Sequence, residues 1–424
     1  MVVLVDCNNF YVSCERLFNP AMNLCPVVVL SNNDGCVVSR SIEAKKIGIP
    51  MGIPVHKIKE DIKKYKIAVF SSNYTLYGDI SQRIMNELKK ISPKVEVYSI
   101  DEAFVDLSHI SNDNLENVGA EIVALIKKNI GMPVSAGIAP TKTLAKVATE
   151  IAKKYPQLNS TYCINSEERR IKALKWLPIE DVWGIGRRNA AKLKLRGVFK
   201  AFDFTKLDDL WVKKNMTVEG LRLKSELCGI SAIELSSIEE VRKSISKSSS
   251  FAKLVTKYID IEQAICTYIQ IIAEKLRNQK SHTHILAVHI STNRNRIQDK
   301  QYSNTKFINL PTPTNSSIEL VKFAKQALKL IFREGYNYKK AGVIATGLVT
   351  SENQQLSLFD TVDRGKHTKL MDYVDKINLK GGNSMVKLAS SMGNNRFKMK
   401  QESLSKRFTT DWDNLIEINV DKNE

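Results

Sequence analysis

Residues Tyr98–Leu107 read YSIDEAFVDL, an apolar, strand-like stretch into which two adjacent acids, Asp101 and Glu102, are set. Successive side chains of an ideal strand point to opposite faces, so an unbroken strand sends the two carboxylates to different places. Either one acid is a surface residue or the strand turns here. A turn or bulge between Ser99 and Glu102 would bring both acids to one site.

A third acid has a similar setting. The opening VVLVDCNNFYVSCERLF reads as a buried strand ending near Asp6, followed by a helix carrying Tyr11, Cys14 and Phe18. Carboxylates at the ends of apolar strands are costly unless cations compensate them. Magnesium takes a few carboxylate oxygens together with substrate phosphates, and two such ions can stabilise both the attacking and the leaving oxygen in displacement at phosphorus. The bland alternative is that Asp101 caps a turn, Glu102 faces solvent and Asp6 is an ordinary strand-end acid. Spacing alone leaves both readings open.

Around these acids the chain reads as α+β and multidomain. At 424 residues it is too long for one core and should divide into three or four units. Between Pro26 and Phe70 short apolar runs punctuated by Gly and Pro suggest an inserted subdomain of short strands and helices. A helix at YTLYGDISQRIMNELKKI, a hairpin at VEVYSIDEAFVDL, a helix at LENVGAEIVALIKKNI, a strand at PVSAGIA and a helix at TKTLAKVATEIAKKY follow. That order suggests a split βαβ sheet with helices on one face. Residues 170–230 read as small and all-helical, and SSIEEVRKSISKSSS as a linker. Residues 244–349 repeat the order strand, long helix, two strands, helix, strand, and the polar stretch after Thr350 reads as a tail that orders on a partner.

Composition narrows the partners. The chain carries 64 Lys and Arg against 45 Asp and Glu, net +19, and residues 241–350 alone hold 18 against 6. Such concentrated charge points to a polyanion, and nucleic acid is favoured over a membrane because no basic amphipathic helix stands out. Seven scattered cysteines without a Cys-x-x-Cys pair read as reduced, buried thiols. The opening MVVLVDC has no basic n-region, and no apolar run approaches a membrane span, so a cytosolic protein is expected. His282, His284 and His289 lie in one strand, but the third has opposite parity to the others, so they read as structural or exposed rather than as a metal site.

DCNNFYVSCE (6–15), SNNDGCVVSRSIEAKKIGIPMG (31–52), YSIDEAFVDL and GIAPTKTLAKVATEIAKK (137–154), in this order, resemble the catalytic core of the Y-family translesion DNA polymerases. SNNDGCV, the overall length and MKQESLSKRFTTDWDNL near the end most resemble the UmuC branch, the catalytic subunit of DNA polymerase V. The resemblance covers nearly the whole chain. It implies a right-hand polymerase: a ferredoxin-like palm at 1–165 with small fingers inserted at about 20–75, and a helical thumb at 166–235. A linker at 236–243, a βαββαβ little finger at 244–349 and a C-terminal tail at 350–424 complete it.

The resemblance also implies roles. Asp6, Asp101 and Glu102, with the Cys7 carbonyl, would hold two magnesium ions for attack of a primer 3′-hydroxyl on a dNTP; Tyr11 would be the steric gate against the 2′-hydroxyl, and its bland role is a core tyrosine. Phe10, Ser39, Lys45 and Lys153 match nucleotide-contacting positions. Where the family often has Tyr and Arg this chain has Ile42 and Lys45, and a point charge does not replace an arginine fork. Lys146 and the helix-hairpin-helix VWGIGRRNAAKL, with Gly184, Gly186, Arg187 and Arg188, would contact DNA backbone. Gln355, Leu356, Ser357, Leu358 and Phe359 resemble a sliding-clamp peptide. Error-prone synthesis past lesions in the SOS response, with processed UmuD and the RecA filament as partners and association with the nucleoid during DNA damage, is what the branch implies. Two rivals are a catalytically dead DNA and clamp adaptor, which would not need the acids, and another palm enzyme such as a nucleotide cyclase, which would not need the hairpin or the little finger.

Overall fold

The apolar run VVLVDC forms β1 (Val2–Cys7), the centre of a five-stranded sheet. The computed structural model describes residues 1–111, 114–236, 241–353, 360, 362–380, 385–391 and 399–416, which group into two units, 1–239 with 401–424, and 240–400.

In the first unit β1 leads into α1 (Phe10–Phe18), and β2 (Val27–Leu30), β3 (Val37–Arg40), α2 (Ile42–Lys46), α3 (Lys59–Lys64) and β4 (Ala68–Ser71) form the inserted subdomain. Its sheet runs β3-β2-β4 over a small core of its own. Then come α4 (Tyr74–Ile91), β5 (Val95–Val97), β6 (Glu102–Asp106), α5 (Leu115–Ile130), β7 (Val134–Ala139), α6 (Lys142–Lys154) and β8 (Thr161–Cys163). The large sheet has the order β5-β6-β1-β7-β8. Helices α7 (Glu167–Trp176), α8 (Arg187–Leu195), α9 (Ala201–Thr205) and α10 (Asp209–Leu227) complete the helical part.

Helices cover both faces of the large sheet, not one as the element order suggested. Val3, Val5 and Cys7 pack with α1, α4 and α5, whereas Leu4 and Phe104 face α6 and the helices after it. VSAGIA of β7 is buried at all six positions, the signature of a strand covered twice. Gly137 lets α6 approach: a Cβ there would strike the Thr149 amide and the Ala145 carbonyl. Helices α7–α10 share this second core with the large sheet and fall in the same unit.

The second unit is β9 (Ser244–Val255), α11 (Tyr258–Asn278), β10 (Ser281–Thr292), β11 (Ser303–Thr314), α12 (Ser317–Ile331) and β12 (Tyr338–Thr350), a βαββαβ fold with strand order β11-β10-β12-β9. Helices α11 and α12 bury one face around Ile265, Ile269 and Leu328. In β10, His289 meets Thr305 Oγ1 at 2.9 Å, a structural contact.

The stretch after Thr350 departs from a tail awaiting a partner. Helix α13 (Arg364–Lys380) is bound within the second unit by the Asp375–Arg277 pair (2.6 Å) and by buried Met371. Residues 401–416 pack on the first unit. The docking combines isolated apolar anchors, Met371 and Phe408, with polar contacts, so it leaves no regular apolar period in the sequence. All seven cysteines are free; Cys25, Cys36 and Cys228 are half-buried where burial was expected.

Candidate active site

The sheet puts Asp6 and Glu102 directly opposite each other on the antiparallel β1–β6 ladder. Cross-strand partners share a face, and like charges so placed repel. The alternation that buries Leu4 and Phe104 against α6 turns both acids to the same side, where α6 presents Lys146 and Lys153 two turns apart. Lys153 pairs with Asp6 at 2.7 Å and Lys146 with Glu102 at 2.5 Å.

The strand does break where the paired acids required it. β5 ends at Val97 and β6 begins at Glu102. Ser99 makes the turn: its Oγ accepts from the Asp101 and Glu102 amides (3.2 and 3.1 Å) and donates to Asp101 Oδ1 (2.5 Å). The Asp101 carbonyl then accepts from the Cys7 amide at 2.9 Å, which fixes Asp101 beside the end of β1. Asp101 thereby escapes strand parity.

Burial pushes the Asp6 carboxyl up to about 6 against the pull of Lys153, with the Glu102 and Asp101 charges adding to the rise. Burial also raises the Cys7 thiol well above its ordinary range, aided by Asp6 and Asp101. Among the described residues no three His, Cys, Asp or Glu side chains converge tightly enough to hold an ion as they stand. The two lysines and Ser99 instead engage oxygens of the three acids. The donor set is nonetheless hard oxygen throughout, carboxylates in a half-buried setting that penalises their charge, which suits magnesium.

Asn9, left-handed at φ 49°, ties the inserted subdomain to this site: its Oδ1 accepts from Lys45 Nζ at 2.6 Å, and its carbonyl lies 3.5 Å from Ser39 Oγ. Burial lowers the Lys45 ammonium, and Arg40 and Lys153 lower it further, so cationic groups gather here. Asp6, Lys45, Glu102, Lys146 and Lys153 line a cleft of about 980 Å³ that also reaches Trp183. Phe10 is buried, and half-buried Tyr11 stacks on Tyr77 with ring centroids 4.6 Å apart.

In the helical part of the first unit, Gly184 has φ +90°, a conformation that favours glycine, and Gly186 precedes α8, whose first turn holds exposed Arg187 and Arg188 and no acid. Two cations at a helix N-terminus oppose the dipole, an arrangement that an anion would relieve. Besides pairing with Glu102, Lys146 lies over the rings of Tyr98 (4.5 Å) and Trp183 (5.4 Å). Sequence reasoning missed this enclosure because Tyr98, Lys146 and Trp183 come from three distant segments. It also missed Lys142, buried and bonded to both Glu96 oxygens (2.7 and 2.6 Å). The peptide Gln355–Phe359 lies outside the described residues.

Residues 5–150 match the impB/mucB/samB family model and residues 242–358 match the C-terminal domain model of the same family. Residues 368–418 match a domain of unknown function. Protein UmuC of Salmonella typhimurium is 38% identical over 421 residues, 99% of this chain and 100% of that protein. Protein MucB of Escherichia coli is 35% identical across 97% of this chain and 98% of its own length, and DNA polymerase IV 1 of Bacillus subtilis is 26% identical across 96% and 97%. Among solved structures, a Y-family DNA polymerase chimera of Dbh and Dpo4 superposes with a TM-score of 0.69 at 22% identity, covering 82% of this chain and 99% of its own. The chain therefore belongs to the impB/mucB/samB family, is similar to UmuC over its whole length, and has the fold of a Y-family DNA polymerase.

Proposed function

We propose that the protein extends primers past damaged template bases, as an error-prone polymerase of the SOS response, by two-metal nucleotidyl transfer from dNTPs. The observation that carries this reading is the facing pair Asp6 and Glu102 with Asp101 turned in beside them. These three carboxylates and the Cys7 carbonyl would hold two magnesium ions, which when bound supply the positive charge that stabilises attacking and leaving oxygens. The primer 3′-oxygen forms its bond to the α-phosphorus as the bond to the bridging oxygen breaks, and pyrophosphate leaves.

The chain's own groups bind and orient. Lys153 and Lys45, now on Asp6 and Asn9, would engage the triphosphate with Ser39, and Phe10 and Tyr11 would bound the sugar. Arg187, Arg188 and the amides at the start of α8 suit a DNA phosphate, whereas Lys146 acts through Glu102. A solved relative is a ternary complex of Dbh DNA polymerase, with a TM-score of 0.55. The uncovered face of the second unit offers Ser246, Ser248, Ser250, Thr305 and Lys340, small polar groups suited to sequence-independent backbone contact. A sliding clamp at Gln355–Phe359, processed UmuD and the RecA filament complete the proposal; the branch's membership supports them. No helix among the described residues is long and apolar enough to cross a membrane.

Primer extension opposite a lesion tests it, with clamp and activating partners supplied and wild type compared with Asp101→Ala. Addition by the wild type alone supports the reading. If the wild type adds no nucleotide and the substitution changes nothing, the reading fails.

A further inference from the structure

The C-terminal segment returns to the fingers–palm junction and is built into it. Gln401 Nε2 donates to the Ser72 carbonyl (2.9 Å), the Glu402 amide to Asp34 Oδ2 (2.8 Å), and the Ser403 amide to Ser71 Oγ (3.0 Å). The Ser71 amide donates back to the Ser403 carbonyl at 2.9 Å, so the segment lies along β4, an edge strand, and takes up one of its free backbone donors. Phe408 then stacks on Phe18 with centroids 4.7 Å apart and planes 9° from parallel. This is a shaped fit.

Its centre is Ser405. Ser405 Oγ donates to Glu15 Oε1 at 3.0 Å, and the same oxygen accepts from the Tyr77 hydroxyl at 2.6 Å. Glu15 and Tyr77 are 2% and 0% exposed, so the carboxyl depends on these two donors where water does not reach. Tyr77 in turn lies flat against Tyr11, the planes 15° apart. A continuous path of contact thus runs Ser405, Glu15, Tyr77, Tyr11.

A second path is parallel to it. Asn73 caps α4 by accepting from the Leu76 amide (3.3 Å), while its amide nitrogen donates to the Ser405 and Lys406 carbonyls, each at 3.2 Å. The first turn of α4 carries two of the three rings against Tyr11, Tyr77 and edge-on Tyr74 (5.9 Å), the third being the neighbouring Phe10. One side chain therefore ties the segment to the helix start that backs the gate.

We propose that Gln401–Phe408 is a strap that sets sugar selectivity, with Ser405 and Asn73 as positioning residues for Tyr11. The proposal rests on the reading of Tyr11 as the steric gate. A gate discriminates only if its ring cannot retreat from an added hydroxyl, and the strap holds the layer against which the ring would retreat. The occupant is a segment of this chain, so selectivity depends on a stretch some 390 residues from the gate in sequence.

The test uses the full chain on an undamaged primer-template, with kcat and KM measured for dNTPs and rNTPs. Ser405→Ala removes the donor to Glu15; Asn73→Asp keeps the helix cap and loses the donor to the strap. A chain ended after Lys400 removes the strap, and Tyr11→Ala gives the fully opened gate. Expected is a several-fold rise in the ratio of rNTP to dNTP kcat/KM in the first three variants, expressed mainly in a lower KM for rNTPs. The rise stays within that of Tyr11→Ala, and Ser405→Thr restores the wild-type ratio. If Tyr11→Ala opens the ratio while the strap variants leave it unchanged, or lower both substrates in parallel, the strap is only structural and the proposal is overturned. If Tyr11→Ala itself leaves the ratio unchanged, the gate reading fails first and takes the proposal with it.

Discussion

Asp6 and Glu102 stand opposite each other on adjacent antiparallel strands, and each is held by a lysine of the same helix, Lys153 at 2.7 Å and Lys146 at 2.5 Å. A sheet selected for stability alone would not oppose two carboxylates at a half-buried ladder end. The lysines offset part of the repulsion, and the Asp6 carboxyl still rises to about 6.

Asp6→Asn should separate catalysis from stability. Loss of a carboxylate that organises charge at the reacting phosphate lowers nucleotide addition by about 10²–10³-fold or more in single-turnover extension. The Asp6 carboxyl is raised from 3.8 to about 6, so ionising it costs folding stability as pH climbs through that window. Without added divalent cations, the melting temperature of Asp6→Asn at pH 7.5 should therefore equal or exceed wild type. The advantage should vanish near pH 4.

Lys153 bridges Asp6 and Glu150, the latter at 3.3 Å, and lines the cleft shared with Lys45. Lys153→Ala should raise the KM for dNTPs about tenfold, the size of a lost charge-assisted contact. The fall in kcat should be smaller. An unchanged KM with a reduced kcat would instead confine Lys153 to holding Asp6.

What the sequence made legible follows from how each contact is encoded. Asp6, Asp101 and Glu102 stood out because charge interrupts apolar strands, and strand parity called for a turn at Ser99–Glu102 once the three acids were read as one site. The two-sided burial of β7 is consistent with VSAGIA, which has small or apolar residues throughout and no strongly polar alternation, but the order of elements favoured a one-sided sheet. The strap was illegible: SLSKRF has no period, and its backbone, the Ser405 hydroxyl and the Phe408 ring meet Ser71, Asn73, Glu15 and Phe18, all more than 300 residues away. For Lys146 the resemblance implied only a DNA-backbone contact, and nothing local shows that Tyr98 and Trp183 flank it.

Gly137→Ala tests the close packing of α6 on β7. The added methyl group would strike backbone atoms of Thr149 and Ala145, which no rotamer change relieves. Overpacking against flexible side chains costs about 1–3 kcal/mol, so a backbone clash should reach the top of that range. Chemical denaturation should show a lowered midpoint. Because α6 carries Lys146 and Lys153, activity should fall as well.

DNA affinity should fall steeply with salt if the basic second unit contacts phosphates. Lys340 is exposed on the uncovered sheet face, in register with Ser250 and Ser291. Fluorescence anisotropy with the full chain should show Lys340→Ala reducing the slope of log K against log salt by about 1. The loss should be equal across unrelated primer-template sequences; a sequence-dependent loss would place Lys340 at a base edge.

Glu15 gives the strap a pH signature distinct from selectivity. Burial outweighs the hydrogen bonds from Tyr77 and Ser405, so its carboxyl stands above its ordinary 4.5 in the folded protein. Folding therefore favours the protonated form, and wild-type stability declines as pH rises from about 4.5 through the raised value. Glu15→Gln is spared that decline, so its melting temperature relative to wild type should increase with pH across the window. In Ser405→Ala the carboxyl loses one stabilising donor and rises further, which extends the wild-type decline to higher pH. Parallel profiles for Ser405→Ala and wild type would mean that the Ser405 hydroxyl does not reach the carboxylate in solution.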